Sequence, residues 1–166
     1  MQLVDIGANL THESFRPDFD QVLARALAHG VAQMVVTGAS AADSRMALSL
    51  AQDHPGVLFA TAGVHPHHAI DYDATTDALL RELVRSEHVK AVGETGLDYH
   101  RNYSPPAAQI EAFNRQLEIA AESGKPLFLH QRDAHVDFMA TLKGFDGRLG
   151  RVVVHCFTGT REEMVD

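Results

Sequence analysis

Apolar and polar positions along this chain follow two alternating rhythms from the first residue onward. Short apolar runs at residues 2–6, 33–38, 57–64, 90–94, 126–130 and 151–156 have the length and β-branched content of buried strands. Between them, apolar side chains recur at the three- and four-residue intervals of helices. Phe19, Val22, Leu23, Ala26 and Leu27 make one stripe over residues 18–29, with Gly30 at its stop. Ser40 and Asp43 form a capping pair that opens a second helix, which ends before His54-Pro55-Gly56. Leu79, Leu80, Leu83 and Val84 stripe a third. Ser104-Pro105 predicts the N-cap and first turn of a fourth, carrying Ile110, Phe113 and Leu117 to an exit at Gly124. Val136, Met139 and Leu142 share one face of a weaker fifth helix over residues 134–143.

No Pro/Gly/Ser linker, low-complexity tract or charge block interrupts this array, so residues 1–166 are expected to form one domain. Strand alternating with helix leaves two architectures, an open doubly wound sheet or a TIM-like (β/α)₈ barrel. The barrel is favoured because ligand-type residues close four successive strand runs. Barrel strand ends converge on one mouth, whereas an open sheet concentrates its site at one switch point. Thr160-Arg161-Glu162-Glu163 is a capping-box pattern close to residue 166. A helix of one turn is marginal and a six-strand wall is open. The expectation is therefore a barrel truncated after about six βα units, lacking its last two, with aggregation-prone strand edges.

Composition narrows the function classes. An apolar content of 45% over 166 residues can bury a sizeable core, and a formal charge of −8 argues against a basic nucleic-acid wrapper. Cys156 is the single cysteine, which rules out a disulfide framework and a thiolate zinc cluster; strand alternation predicts that it is buried as a small apolar residue. The start has no basic segment followed by a long apolar one, and no later run approaches the length of a membrane span. The chain reads as a soluble cytoplasmic protein with no membrane partner.

The chemistry sits at the strand ends. Runs ending in Glu94, His130 and His155 supply one carboxylate oxygen and two imidazole nitrogens, a mixed set that suits Mn, Zn or Fe and, with added oxygens and waters, Mg. Three protein ligands leave positions for water and substrate, as a catalytic site requires. His65, in Gly63-Val64-His65-Pro66-His67-His68, ends a fourth run and is expected to act as a phosphate contact or proton carrier, with His67 beside it. Arg132, next to Asp133, either places a guanidinium over the mouth as a phosphate fork or forms a surface ion pair. Asp98, Thr158 and Gly159 are expected to line the same mouth and contact substrate; a loop glycine lets backbone N–H groups approach an anion. Asp5 could be a ligand, an anchor for a ligand or a floor residue.

Five segments, taken together and in order, resemble the TatD family of metal-dependent deoxyribonucleases. They are Asp5-Ile6-Gly7-Ala8-Asn9-Leu10, Ala62-Gly63-Val64-His65-Pro66, Gly93-Glu94-Thr95-Gly96-Leu97-Asp98-Tyr99, His130-Gln131-Arg132-Asp133-Ala134-His135 and His155-Cys156-Phe157-Thr158-Gly159-Thr160. The resemblance implies a distorted (β/α)₈ barrel and a divalent metal, Mg²⁺ first with Mn²⁺ or Zn²⁺ as alternatives. It also implies hydrolysis of DNA phosphodiesters, as a 3′-5′ exonuclease on single strands, by a monomer. Glu94, His130 and His155 fall on the family's metal positions, and His65 and Glu94 on positions needed for activity. Many relatives carry H-x-H on the first strand where this chain has Gly7 and Asn9, which removes two ligands. The family's last strand supplies a further carboxylate, beyond the expected truncation, so the 166-residue chain alone is expected to be inactive. Two rival functions are an amidohydrolase-type enzyme acting on a cyclic amide, lactone or small phosphoester, and a non-catalytic metal- or nucleic-acid-binding protein.

Overall fold

The computed structural model describes residues 1–166. Six parallel strands lie in sequence order: β1 (Leu3–Ala8), β2 (Val31–Val36), β3 (Leu58–Ala62), β4 (Val89–Asp98), β5 (Leu127–Arg132) and β6 (Val152–Val154). Each connection is a right-length crossover containing a helix: α1 (Phe19–Ala28), α2 (Ala41–Asp53), α3 (Ala74–Leu83), α4 (Pro106–Ser123) and α5 (His135–Lys143). A short α6 (Arg161–Val165) follows β6. Unbroken neighbour-to-neighbour order curls the sheet into a half-barrel, as expected for a (β/α)₈ wall and unlike a doubly wound sheet, whose order reverses.

Local signals in the sequence locate the helix ends. Ser40 Oγ accepts from the Asp43 N–H at 3.1 Å and donates to its carboxylate at 2.7 Å, the predicted cap of α2. Thr160 and Glu163 close a reciprocal capping box on α6. Gly124 ends α4 in the left-handed conformation, its N–H on the Ala120 carbonyl. One cap differs from expectation. Pro105, not Ser104, is the residue before α4, and two successive prolines pre-set the first turn. Ser104 is fully buried and turns its hydroxyl elsewhere, onto the Ile70 N–H and the His67 carbonyl.

The core lies between the sheet's outer face and the helices. Leu58, Val36, Val89, Leu127 and Leu129 from the strands meet Leu80, Phe113, Leu117 and Ile119 from α3 and α4, all with almost no exposure. Phe113 stacks on Phe138 of α5 with ring centroids 5.4 Å apart. The inner face is less covered. Leu3, Val4 and Ile6 on β1 and Val152 and Val153 on β6 are exposed, and Ile6, Val35, Phe128 and Val153 border an apolar cavity of about 330 Å³. Both outer strands carry an unpaired edge. No helix is long and apolar enough to cross a membrane.

Candidate metal centre

Four strand-end segments bring their side chains to one mouth, and the backbone route to each was only partly foreseen. Glu94 does not end β4; the strand continues to Asp98. Gly93 and Gly96 make this possible, with φ of 122° and 140°. A Cβ on either would collide with the Phe128 or His130 carbonyl, so β4 hugs β5 here only because both residues are glycine. His130 lies within β5, in register with Gly96, and His155 follows β6 with its N–H on the Leu129 carbonyl. His65 lies past the end of β3. It caps a 3₁₀ segment, Pro66–Asp71.

Glu94 Oε1 is the point of convergence. His155 Nε2 lies 2.6 Å from it, His130 Nδ1 3.3 Å and His65 Nε2 3.5 Å. Burial pushes the Glu94 carboxyl up, but the close approach of His130 and His155 and the charge interactions with His65 and His155 outweigh it and hold the group well below the usual carboxylate range. His155 is fixed by stacking on Phe128, with centroids 4.4 Å apart. Across from it, a Cβ at Gly7 would stand 4.0 Å from His155 Nδ1, so the small residue on β1 borders this imidazole.

Hydrogen-bond partners separate the histidines by tautomer. A backbone N–H can only donate, so His65 Nδ1 accepts from the His67 N–H at 3.1 Å. Burial pushes the His65 pKa down to about 3 against the opposing pull of Glu94, with His130 and His67 adding to the lowering. The neutral ring therefore carries its proton on Nε2, aimed at Glu94. His65, Glu94 and His130 have ligand-type atoms within 4.8 Å of one another, but a protonated Nε2 makes His65 a donor toward the mouth instead of a lone-pair ligand.

His130 has the opposite arrangement. Its Nε2 faces Asp98 Oδ2 at 3.2 Å. Burial raises the Asp98 pKa, but the Arg101 N–H, His67 and His130 overcome this and hold it at about 2, so this carboxylate accepts and His130 Nε2 donates. In the neutral ring the other nitrogen, Nδ1, faces Glu94 Oε1 at 3.3 Å and has a lone pair to offer a cation lying against both. Carboxylate, imidazole and a carboxylate-anchored second nitrogen form the donor set of a divalent metal centre, so the residues present fit such an ion.

Asp98, expected as a substrate contact, is buried as an anchor for two imidazoles: it is 1% exposed and engaged by His67 at 2.9 Å as well as by His130. An Asp98→Asn variant should bind Mn²⁺ about 10- to 100-fold more weakly by calorimetry, because the amide can present an N–H to His130 Nε2 and favour the wrong tautomer. Unchanged Mn²⁺ affinity would refute that role.

The remaining expected residues divide. His67 is half-buried between Asp98 and the ring of Tyr103. Arg132 sits on β5 two residues from His130, hence on the same side of the strand, and Asp133 pairs with His100 at 3.0 Å instead of with Arg132. Thr158 and Gly159 are exposed between β6 and α6. Asp5 is exposed and accepts from the Gly7 N–H. Cys156 is exposed, against expectation: its φ of 46° breaks the strand alternation that would have buried it.

Three helix side chains were not anticipated. Beyond Ala62 the backbone leaves its sheet partners, and its polar groups must be satisfied otherwise. Ser44 of α2 clamps both the N–H and carbonyl of Gly63, each at 3.0 Å. Gln116 of α4 does the same to Val64, at 2.7 and 3.1 Å. Two turns earlier on the same face of α4, Gln109 grips the N–H and carbonyl of Asp98 at 2.8 and 3.1 Å. His65 and Asp98 are therefore held by helix-borne amides. A glutamine on an otherwise apolar helical stripe is the signal that could have revealed them.

A half-barrel mouth lined by a buried carboxylate, imidazoles and a second anchoring carboxylate defines the class: an α/β-barrel framework with a candidate divalent-metal site at its strand ends. Residues 4–166 match the sequence profile of the family described as TatD related DNase, and the chain belongs to that family. It is 51% identical over 162 residues to a 3′-5′ ssDNA/RNA exonuclease TatD of Erwinia billingiae and 50% identical over 162 residues to the protein of that description from Edwardsiella piscicida. Each match covers 98% of this chain and 62% of the relative, so the chain spans less than two thirds of their length. Among solved structures, the TatD homologue YJJV of Escherichia coli K12 superposes with a TM-score of 0.85 at 28% identity, over 97% of this chain and 62% of that one. A TatD family hydrolase of Entamoeba histolytica superposes with a TM-score of 0.84 at 30% identity, over 99% and 61%.

Proposed function

We propose that this chain carries the metal-binding residues of a hydrolase that cleaves phosphodiester bonds in nucleic acid, as a 3′-5′ exonuclease on single strands. The observation that carries the reading is the convergence of His130 Nδ1 at 3.3 Å and His155 Nε2 at 2.6 Å on Glu94 Oε1. Glu94, His130 and His155 would hold the cation, with Mg²⁺ proposed first and Mn²⁺ or Zn²⁺ next. When bound, a divalent ion polarises a phosphoryl oxygen and lowers the pKa of its water.

The other residues follow from their own geometry. Neutral His65 presents an Nε2–H at the mouth, suited to the leaving oxygen, which gains charge as its bond to phosphorus breaks. Asp98 keeps His130 in the Nδ1-free tautomer and steers His67. Arg132, on the His130 side of β5, supplies a fixed positive charge for a second phosphate oxygen. Thr158 and Gly159 offer a hydroxyl and an unhindered backbone N–H on the β6–α6 loop for the substrate. We assign residues 1–166 to one hydrolase domain acting in the cytoplasm, where a single free cysteine is at home.

The test is a 5′-labelled oligonucleotide assay on the protein, with single- and double-stranded DNA, RNA and a metal series. The expected result is stepwise shortening from the 3′ end of single strands, abolished by chelator and restored by divalent cation. Turnover of small esters or cyclic amides with intact oligonucleotides would overturn the nuclease reading.

A further inference from the structure

Beside the mouth, two apolar side chains remain open that neither the core nor the metal centre uses. Tyr103 is 67% exposed and Ile70 63%. They are neighbours, because the buried Ser104 hydroxyl accepts from the Ile70 N–H at 3.0 Å directly after Tyr103. The Tyr103 ring is not free to wander. It packs edge-on against His67 with centroids 4.7 Å apart, and His67 in turn meets His65 at 4.2 Å and His130 at 6.4 Å. The loop beneath it is pinned at several points: the Arg101 N–H on Asp98, the Ser104 hydroxyl on the His67 carbonyl and the Gln109 amide on the Ser104 carbonyl.

A rigid, exposed aromatic ring two ring contacts from the candidate metal ligand His130 is expensive in water and useful only to a flat apolar ligand. The geometry points to Tyr103 as a stacking platform for a nucleobase, the one attached to the nucleotide whose phosphate occupies the mouth, with Ile70 extending its apolar surface. This subsite rests on the nucleic-acid reading above and deepens it. A base inside a duplex has no free face to offer, so the platform selects unpaired strands without selecting sequence. It also explains how an acidic protein can grip nucleic acid without a basic groove: base stacking replaces part of the charge attraction.

The test is binding of two short single-stranded oligonucleotides to this chain in Ca²⁺, one ending in 3′-terminal 2-aminopurine and one abasic at that position. Wild type should quench the 2-aminopurine fluorescence and prefer the base-bearing strand. Tyr103→Ala should weaken that strand by about tenfold and leave the abasic one unchanged, while Tyr103→Phe retains wild-type affinity. Circular dichroism should show both variants folded, since the side chain is mostly exposed. Equal weakening of both oligonucleotides, no weakening of either, or a Phe variant as poor as the Ala variant would overturn the platform alone. Self-association of wild type that Tyr103→Ala relieves without a base-selective loss would assign the patch to a protein contact and overturn it too. Wild type that binds neither oligonucleotide would remove the nucleic-acid reading itself, and the platform with it.

Discussion

Glu94→Gln should lose divalent-cation affinity by more than about 100-fold while the fold survives. Replacing a partner of a ligand costs 10- to 100-fold in comparable centres, and Glu94 is the residue on which the others converge. Its Oε1 is the shared neighbour of His155, His130 and His65. Glutamine keeps the shape but removes the negative charge, the only one directly facing all three rings, and hard cations bind imidazole weakly without an anionic oxygen. The amide can still accept from His155, so no cavity opens and the melting temperature should change little. Calorimetric titration with Mn²⁺, with circular dichroism on the same sample, separates the two effects. Wild-type Mn²⁺ affinity in Glu94→Gln would show that the cation, if bound, sits elsewhere, and would dissolve the proposed centre.

Most of the frame of this site was legible from residue pattern alone. Apolar runs of strand length alternating with helical stripes predict the six strands within a few residues, because a strand of a parallel wall is apolar on successive positions, even in β1 and β6 whose edges lie open. What escaped was non-local. β4 runs four residues past Glu94 because Gly93 and Gly96 let it lie against β5, and nothing in a period-two pattern encodes that approach. Asp98 reads as a loop acid in sequence; only the fold brings His67 and His130 onto it. The exposure of Cys156 follows from one left-handed residue, a conformation that alternation assumes absent. His65 was placed one step from its true setting. A proline after a histidine signals a break, but whether the break becomes a turn or a capped 3₁₀ segment depends on Ser104 and Gln116, which arrive about 40 to 50 residues later.

The double variant Gln109→Leu/Gln116→Leu should destabilise the chain by about 4–8 kcal/mol, close to everything a domain of this size has to lose. Both side chains are buried on the apolar stripe of α4, seven residues and two turns apart, so leucine fits the helix and its neighbours without difficulty. The cost comes from what leucine cannot do. The N–H groups of Val64 and Asp98 donate to these two amide oxygens, and both residues are buried. The amide nitrogens also serve the carbonyls of Val64, Asp98 and Ser104. Each buried backbone group left unpaired costs about 1–3 kcal/mol, which puts either single variant at about 2–4 kcal/mol. The singles should differ in what else they disturb. Gln116→Leu frees the segment leading into His65, and Gln109→Leu frees Asp98 and so the tautomer of His130; Mn²⁺ affinity should therefore fall more in the second. Urea denaturation of the two singles and the double, with Mn²⁺ titration of each single below its transition, provides both readouts. Singles that cost less than about 0.5 kcal/mol each would mean that water replaces the amides, and that α4 supports the mouth by packing alone.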